Sequence, residues 1–119
     1  MGSNIIKEKS FEFAVQIVKL SQYLASEKKE FVLSKQILRS GTSVGAMIRE
    51  GEHAQSKADF VHKLSIAQKE INETIYWLEP LKATDYISVE KFSSLNHAAI
   101  EIIKLLTSII KTAKSNLNH

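Results

Sequence analysis

Two short segments carry residue types that hold metals. Glu50-Gly51-Glu52-His53 and Asp59-Phe60-Val61-His62 each place a carboxylate three residues before a histidine. On a helix that spacing sets both groups on one face. Di-iron four-helix carboxylate proteins build their centres from two Glu-x-x-His segments and carboxylates of the other two helices. Here both segments flank one turn, at the end of the helices they belong to. Asp59 has a competing role as a helix cap, and no inward carboxylate stands on the first or last helical segment. Solvated charges at a turn are the plainer account. A di-metal carboxylate enzyme is therefore a rival reading only, and no metal ligand is assigned.

Other chemistry has fewer supports. The 119-residue chain has no cysteine, which removes thiolate nucleophiles, disulfides and Cys-based zinc sites. No Gly-x-Ser-x-Gly elbow surrounds any serine. Gly41 and Gly45 are not a phosphate loop, because no strand precedes them and no Gly-Lys-Ser/Thr follows; close helix packing explains them better. His97 falls on the polar side of its helix, and His119 has no motif partner. Tyr76 and Trp77 have faces that can stack bases, but beside Leu78 they read as packing aromatics. No catalytic residue and no cofactor emerges, and the expectation is a non-enzymatic protein.

Charge points to a different function. The net charge is +3. Residues 28 to 57 hold six cations (Lys28, Lys29, Lys35, Arg39, Arg49 and Lys57) against Glu30, Glu50 and Glu52. These six are the candidate phosphate contacts of a modest basic face, and RNA or DNA is the partner they would suit. A surface that binds only protein is the alternative. No apolar run approaches the roughly 18 residues of a membrane span, and no signal-peptide core follows Met1. The chain opens Met-Gly, but a myristoylation signal wants Ser or Thr where Ile6 stands. A cytoplasmic protein with no membrane partner is expected.

The elements that position these residues are helical. Pro80 is the only proline, and glycine occurs only at positions 2, 41, 45 and 51. Apolar periodicity predicts four helices, over about 7–26, 34–54, 57–82 and 89–115, in one domain spanning 1–119. The first carries two parallel stripes, one of Phe11, Ala14, Val18 and Ser21, the other of Phe13, Ile17, Leu20 and Leu24. The second has Ser34 as candidate N-cap and a stripe of Ile37, Gly41, Val44, Ile48 and Gly51. In the third, Ser56 and Asp59 make a capping box, and Phe60, Leu64, Ala67, Ile71, Thr74 and Leu78 form a heptad seam. Pro80 is expected to kink or end this helix. In the fourth, Ile87 and Phe92 make a hydrophobic staple around Ser88, ahead of a stripe through Leu95, Ala99, Ile102, Leu106, Ile109 and Ala113. Short connections predict an all-α, antiparallel up-down-up-down four-helix bundle.

Several of these segments carry a resemblance. They are Leu33-Ser34-Lys35-Gln36-Ile37-Leu38-Arg39-Ser40-Gly41-Thr42-Ser43-Val44-Gly45-Ala46 and Arg49-Glu50-Gly51, then Ser56-Lys57-Ala58-Asp59-Phe60 and Leu64-Ser65-Ile66-Ala67. Lys69-Glu70, Glu73, Tyr76-Trp77-Leu78-Glu79 and Asp85-Tyr86-Ile87 continue the pattern. Together they resemble the bacterial four-helix-bundle proteins encoded within intervening sequences of 23S rRNA genes. That family is similar to the accessory variability protein of diversity-generating retroelements. The resemblance covers nearly the whole chain and implies a bundle that assembles as a ring-like pentamer. Through the retroelement relatives it also implies association with nucleic acid or a reverse-transcriptase-like enzyme. Two positions depart from the pattern: Met47 stands where the family usually has Asn, and Pro80 interrupts a stretch that is usually continuous helix.

Periodicity alone also predicts self-association. On the fourth helix, Ile100, Ile103, Leu105 and Ile110 widen the apolar arc to roughly 220°, about twice what a single surface helix ordinarily buries. The first helix shows a similar excess. Phe11, Phe13, Ile17, Leu20, Ile100, Ile103, Leu105 and Ile110 are therefore the candidate subunit contacts, and another copy of the chain is the expected partner.

Overall fold

A computed structural model describes residues 2–117; His119 lies outside them. Four helices follow one another, α1 (Gly2–Ser26), α2 (Leu33–Gly51), α3 (Lys57–Ala83) and α4 (Val89–Leu117), with no strand among the described residues. Each helix packs on its chain neighbours, and α4 returns to α1, while the diagonal pairs do not meet. This is the up-down-up-down arrangement that short connections dictate, drawn out to 52 × 22 × 20 Å. The turns α1–α2 and α3–α4 consequently share one end of the bundle, and the α2–α3 turn lies at the other.

The interior is a continuous column of aliphatic side chains. Phe13, Ile17 and Leu24 of α1 are fully buried, as are Ile37 and Val44 of α2, Ile71 and Leu78 of α3, and Leu95 and Leu106 of α4. The heptad seam of α3 faces this column from Leu64 to Leu78, with Phe60 half-buried at its head. Thr74 interrupts the aliphatic seam without stranding a hydroxyl, because its Oγ1 donates to Ser40 Oγ across α2–α3 at 2.8 Å. Among the described residues every buried side-chain polar atom has a partner.

Glycine decides how near α1 and α2 come. A Cβ built on Gly41 would lie 2.7 Å from Ile17 Cγ2, so no larger residue fits that crossing undisturbed. At Gly45 the same atom would meet the Ser10 carbonyl oxygen at 3.5 Å, an ordinary contact with the backbone of α1. The small-residue stretch of α2 is thus a close helix–helix contact, tighter at Gly41 than at Gly45. Met47 is half-buried and packs against the core.

Helix ends show where local signals compete. Ser56 caps α3 by accepting from the Asp59 amide at 3.0 Å, and Asp59 accepts from Gln55 N–H rather than from Ser56 itself. Ser88 caps α4 through the Lys91 amide. Ser34 does not cap α2; it is buried inside the first turn, where its carbonyl accepts from Ser21 Oγ. The cap is the Glu30 carboxylate, which accepts from the amides of Val32, Leu33 and Ser34 at 3.2, 3.0 and 2.8 Å. A carboxylate outdoes a hydroxyl here because it serves several donors and its charge opposes the positive end of the helix dipole.

Pro80 does not end α3, which runs to Ala83. The turn beyond it is held by buried Leu81 and by the Thr84 hydroxyl, which donates to the Pro80 carbonyl at 2.6 Å. The helix then closes in a Schellman motif. Tyr86 N–H reaches Leu81 O at 2.9 Å and Asp85 N–H reaches Lys82 O at 3.1 Å. Asp85 occupies the left-handed position at φ 65°.

Candidate interaction surfaces

The six predicted cations do not share a face. Lys28 and Lys29 follow α1, and Lys35 lies in the first turns of α2, so these three gather at the end that carries the α1–α2 and α3–α4 turns. Lys57 begins α3 at the opposite end. Arg39 is engaged on the α2–α3 side, where its guanidinium pairs with Glu70 at 3.3 Å and with Glu73. Arg49 lies over the Phe11 ring, 5.6 Å from its centroid. The modest basic face expected of the six is thereby dispersed, with Lys28, Lys29 and Lys35 left together at the turn end. Acidic partners on α3, thirty residues further along the chain, were invisible to a count of charges in residues 28 to 57.

Glu73 is the most engaged of those acids. It accepts the Trp77 indole N–H at 3.0 Å as well as the Arg39 bond. The Trp77 hydrogen bond holds its carboxyl below the usual carboxylate range; partial burial opposes this, and the Arg39 charge adds to it. Trp77 is half-buried and meets the exposed Tyr76 edge-on at 5.2 Å. Its N–H is therefore occupied on the α2–α3 side.

The carboxylate–histidine segments are dispersed. Glu50 pairs with Lys63 at 3.3 Å, Glu52 with Lys7 at 3.1 Å, and Asp59 serves the α3 cap, while His53 and His62 are exposed. Among the described residues no three His, Cys, Asp or Glu side chains gather as a metal would require. His97 is exposed on α4.

Of the eight candidate subunit contacts, four belong to the core. Phe13, Ile17, Leu20 and Ile110 are 1%, 0%, 3% and 7% exposed, and no second chain can reach them. The reason is geometric: each helix at a corner of a square bundle packs on two neighbours, so its buried arc is wide without a partner subunit. Phe11 and Ile100 remain exposed, at 56% and 40%, and Ile103 and Leu105 are half-buried. Phe11, Ala14, Val15 and Val18 share one face of α1 at helical spacing. That face adjoins α2, since Arg49 reaches Phe11, and Leu38, half-buried, lies on the same side. Ile100 and Ile103 lie on the side of α4 towards α3, the side on which Thr107 accepts a bond from Gln68. The α1–α2 and α3–α4 sides are opposite walls of the square.

One surface at the turn end was not foreseen. A cavity of about 600 Å³ opens between α1, the turn leaving it and the start of α4. Leu20 and Ile87 form its apolar floor, Tyr23 and Tyr86 stand in its walls, and Lys19, Lys28 and Lys91 rim it together with Asp85. Sequence singled out Lys28 as a cation, Leu20 as a candidate subunit contact and Ile87 as half of a staple, but not as one site, since the lining comes from α1, the two turns at this end and α4. Only the turn geometry brings them together.

The comparisons place the fold. Residues 3–108 match the family model described as 23S rRNA-intervening sequence protein. The chain belongs to that family. It is also similar to a crystal structure of a protein of unknown function from the S23 ribosomal protein family of Bacteroides thetaiotaomicron. The two are 62% identical with a TM-score of 0.92, over 93% of this chain and 99% of that one. No curated protein matches the sequence. No helix among the described residues is long and apolar enough to cross a membrane.

Proposed function

We propose that this 23S rRNA-intervening sequence family member is a non-enzymatic scaffold that assembles head to tail. In this reading the α1–α2 wall of one subunit packs on the α3–α4 wall of the next. The observation that carries it is the pair of exposed apolar residues on opposite walls, Phe11 at 56% and Ile100 at 40%, each within a strip of half-buried aliphatics. A contact between two different walls is heterologous, and it either closes into a ring or runs on as a filament. The family resemblance favours a closed ring of five.

The test is a mixing experiment. Light scattering at micromolar concentration is expected to give a multiple of the 13.4 kDa chain. Phe11→Glu and Ile100→Glu, each spoiling one wall, should both be monomeric alone. Mixed, they should form a 1:1 dimer through the two walls left intact. A parent mass of one chain refutes the assembly, and failure of the mixture to pair refutes the head-to-tail contact.

A second reading is nucleic-acid contact at the turn end. It is favoured by Lys28, Lys29 and Lys35 gathering there, none of them within 4 Å of a carboxylate among the described residues. Such binding should be insensitive to sequence and should weaken steeply as salt rises. Lys29→Gln combined with Lys35→Gln should reduce the salt slope. No binding of duplex or single strand at low salt refutes it.

A further inference from the structure

We propose that the turn-end cavity binds a nucleoside 5′-monophosphate group, either as a free nucleotide or as the phosphorylated end of a strand. The proposal stands apart from ring formation, because the cavity opens at the end of the bundle and not on the walls. It deepens the nucleic-acid reading by naming the group recognised.

Size comes first. Small-molecule sites run from about 300 to 1,000 Å³ and are mostly apolar with a few converging polar groups. The cavity, at about 600 Å³, is of that kind, with Leu20 and Ile87 in its floor. The floor is firm: Leu20 is 3% and Ile87 6% exposed, both held by the core beneath.

Charge comes second. Lys19, Lys28 and Lys91 line the cavity together with Asp85, a local balance of +2. None of the three lysines forms an ion pair among the described residues, so each ammonium is available. A phosphate monoester carries about −1.5 to −2 near neutral pH, which matches that balance; a single carboxylate does not. The opening of α4 lies on the same rim and adds the positive end of a helix of 29 residues.

Shape and hydrogen bonding come third. Tyr23 is 42% exposed and lies beneath Lys28, whose Nζ is 6.0 Å from the ring centroid. Tyr86 is half-buried on the other side of the cavity. Neither hydroxyl donates to another protein group among the described residues. Aromatic walls of this kind hold a flat base, which stacks regardless of its identity. Asp85 supplies the one acceptor charge, suited to ribose hydroxyls or an exocyclic amine, and the Schellman turn holds its backbone in place. Phosphate, sugar donors and a flat ring together describe a nucleotide better than an inorganic anion or an uncharged aromatic.

Calorimetric titration of the full chain with AMP tests this, with inorganic phosphate and adenosine as partial ligands. AMP should bind, and each partial ligand should bind at least about tenfold more weakly, since each lacks contacts worth a charged hydrogen bond or a stacked base. Lys19→Glu combined with Lys91→Glu should lower AMP affinity at least about tenfold. Lys111→Glu, far along α4, serves as the charge-matched control and should change it little. Amide spectra should show AMP perturbing Tyr86 and Lys91 in the parent. A 5′-phosphorylated oligonucleotide is then compared with its 5′-hydroxyl form. A preference for the phosphorylated strand over free AMP assigns the source as a strand end, and the converse assigns a free nucleotide. No AMP binding at millimolar concentration overturns the proposal. So does equal binding of inorganic phosphate, or equal loss in the Lys111→Glu control. Duplex binding that persists when AMP fails would overturn the cavity alone and leave the phosphate-backbone reading intact.

Discussion

Gly41 and Gly45 sit one helical turn apart on α2, and the same substitution should stabilise at Gly45 and fail to stabilise at Gly41. Replacing either glycine with alanine removes a helix-propensity deficit of about 1 kcal/mol. At Gly45 little opposes that gain, because the new Cβ would find its nearest neighbours at 3.5 Å. At Gly41 it would lie 2.7, 2.8 and 3.1 Å from Cγ2, Cγ1 and Cβ of Ile17. Carbon atoms pack best at about 3.5–4.0 Å, so the overlap is near 0.8 Å at its worst. Ile17 cannot swing aside: it is fully buried, and a β-branched residue in a helix has essentially one rotamer. Overpacking of this kind costs about 1–3 kcal/mol. Gly45→Ala should therefore stabilise by about 0.5–1 kcal/mol, and Gly41→Ala should be neutral to about 2 kcal/mol destabilising. Urea unfolding at several protein concentrations checks both and separates folding from association. Ile17→Ala in the Gly41→Ala background should recover more than additivity allows, because it removes both clashing γ carbons. If Gly41→Ala stabilises as much as Gly45→Ala, the close crossing is wrong.

Three further outcomes follow from the packing and caps. Ile71→Ala should cost about 2–5 kcal/mol in chemical denaturation, as truncation of a fully buried seam residue does, and an unchanged midpoint would displace the seam from the core. Asp85→Gly should raise stability by about 0.5–1 kcal/mol by relieving a left-handed aspartate in the Schellman turn, readable as a higher melting temperature. Glu73 has a lowered folded-state pKa, so its contribution to stability is present above the unfolded carboxylate range and is lost as pH falls through its depressed value. Glu73→Gln should accordingly flatten the acid limb of the stability–pH curve, and an acid limb identical to the parent's would show that the Trp77 and Arg39 contacts do not persist in solution.

What was legible in the sequence was whatever depends on neighbours along one helix. The seam from Leu64 to Leu78, the Ser56 and Ser88 caps, and the Ile37–Val44–Ile48 stripe all rest on spacing, and all stand in the fold as spacing implies. The cap of α2 was misread because Ser34 satisfies the preference for a hydroxyl, while Glu30 acts from four residues earlier through a turn whose shape no pattern encodes. Pro80 was expected to kink or end a helix reaching about residue 82, and α3 runs one residue further, to Ala83. Losing one backbone donor ends an isolated helix, but a tertiary contact as good as that of buried Leu81 carries the chain on past the proline. The dispersal of the basic set was not legible because charge was summed along the chain, whereas Glu70 and Glu73 meet Arg39 across the bundle.

The misjudged apolar arc shows where periodicity stops being evidence for assembly. An arc a little over 100° wide suits a surface helix resting on one layer. A corner helix of a square bundle presents apolar residues to two neighbours roughly at right angles, so a wider arc is its normal state. α4 illustrates this: Ile103 and Leu105 lie roughly 160° apart round the helix, yet both are half-buried within the single chain. Width therefore says nothing about a second subunit. Self-association rests instead on residues that remain in water after both neighbours are satisfied, and on where they lie. Phe11 and Ile100 meet that criterion on opposite walls. Opposite walls cannot be joined by one two-fold contact, since an isologous interface uses the same patch twice. They call for a heterologous contact, and that is why the mixed Phe11→Glu and Ile100→Glu pair discriminates so sharply. Recovery of a 1:1 dimer requires two different walls. A two-fold interface through either wall would leave one of the variants dimeric before any mixing.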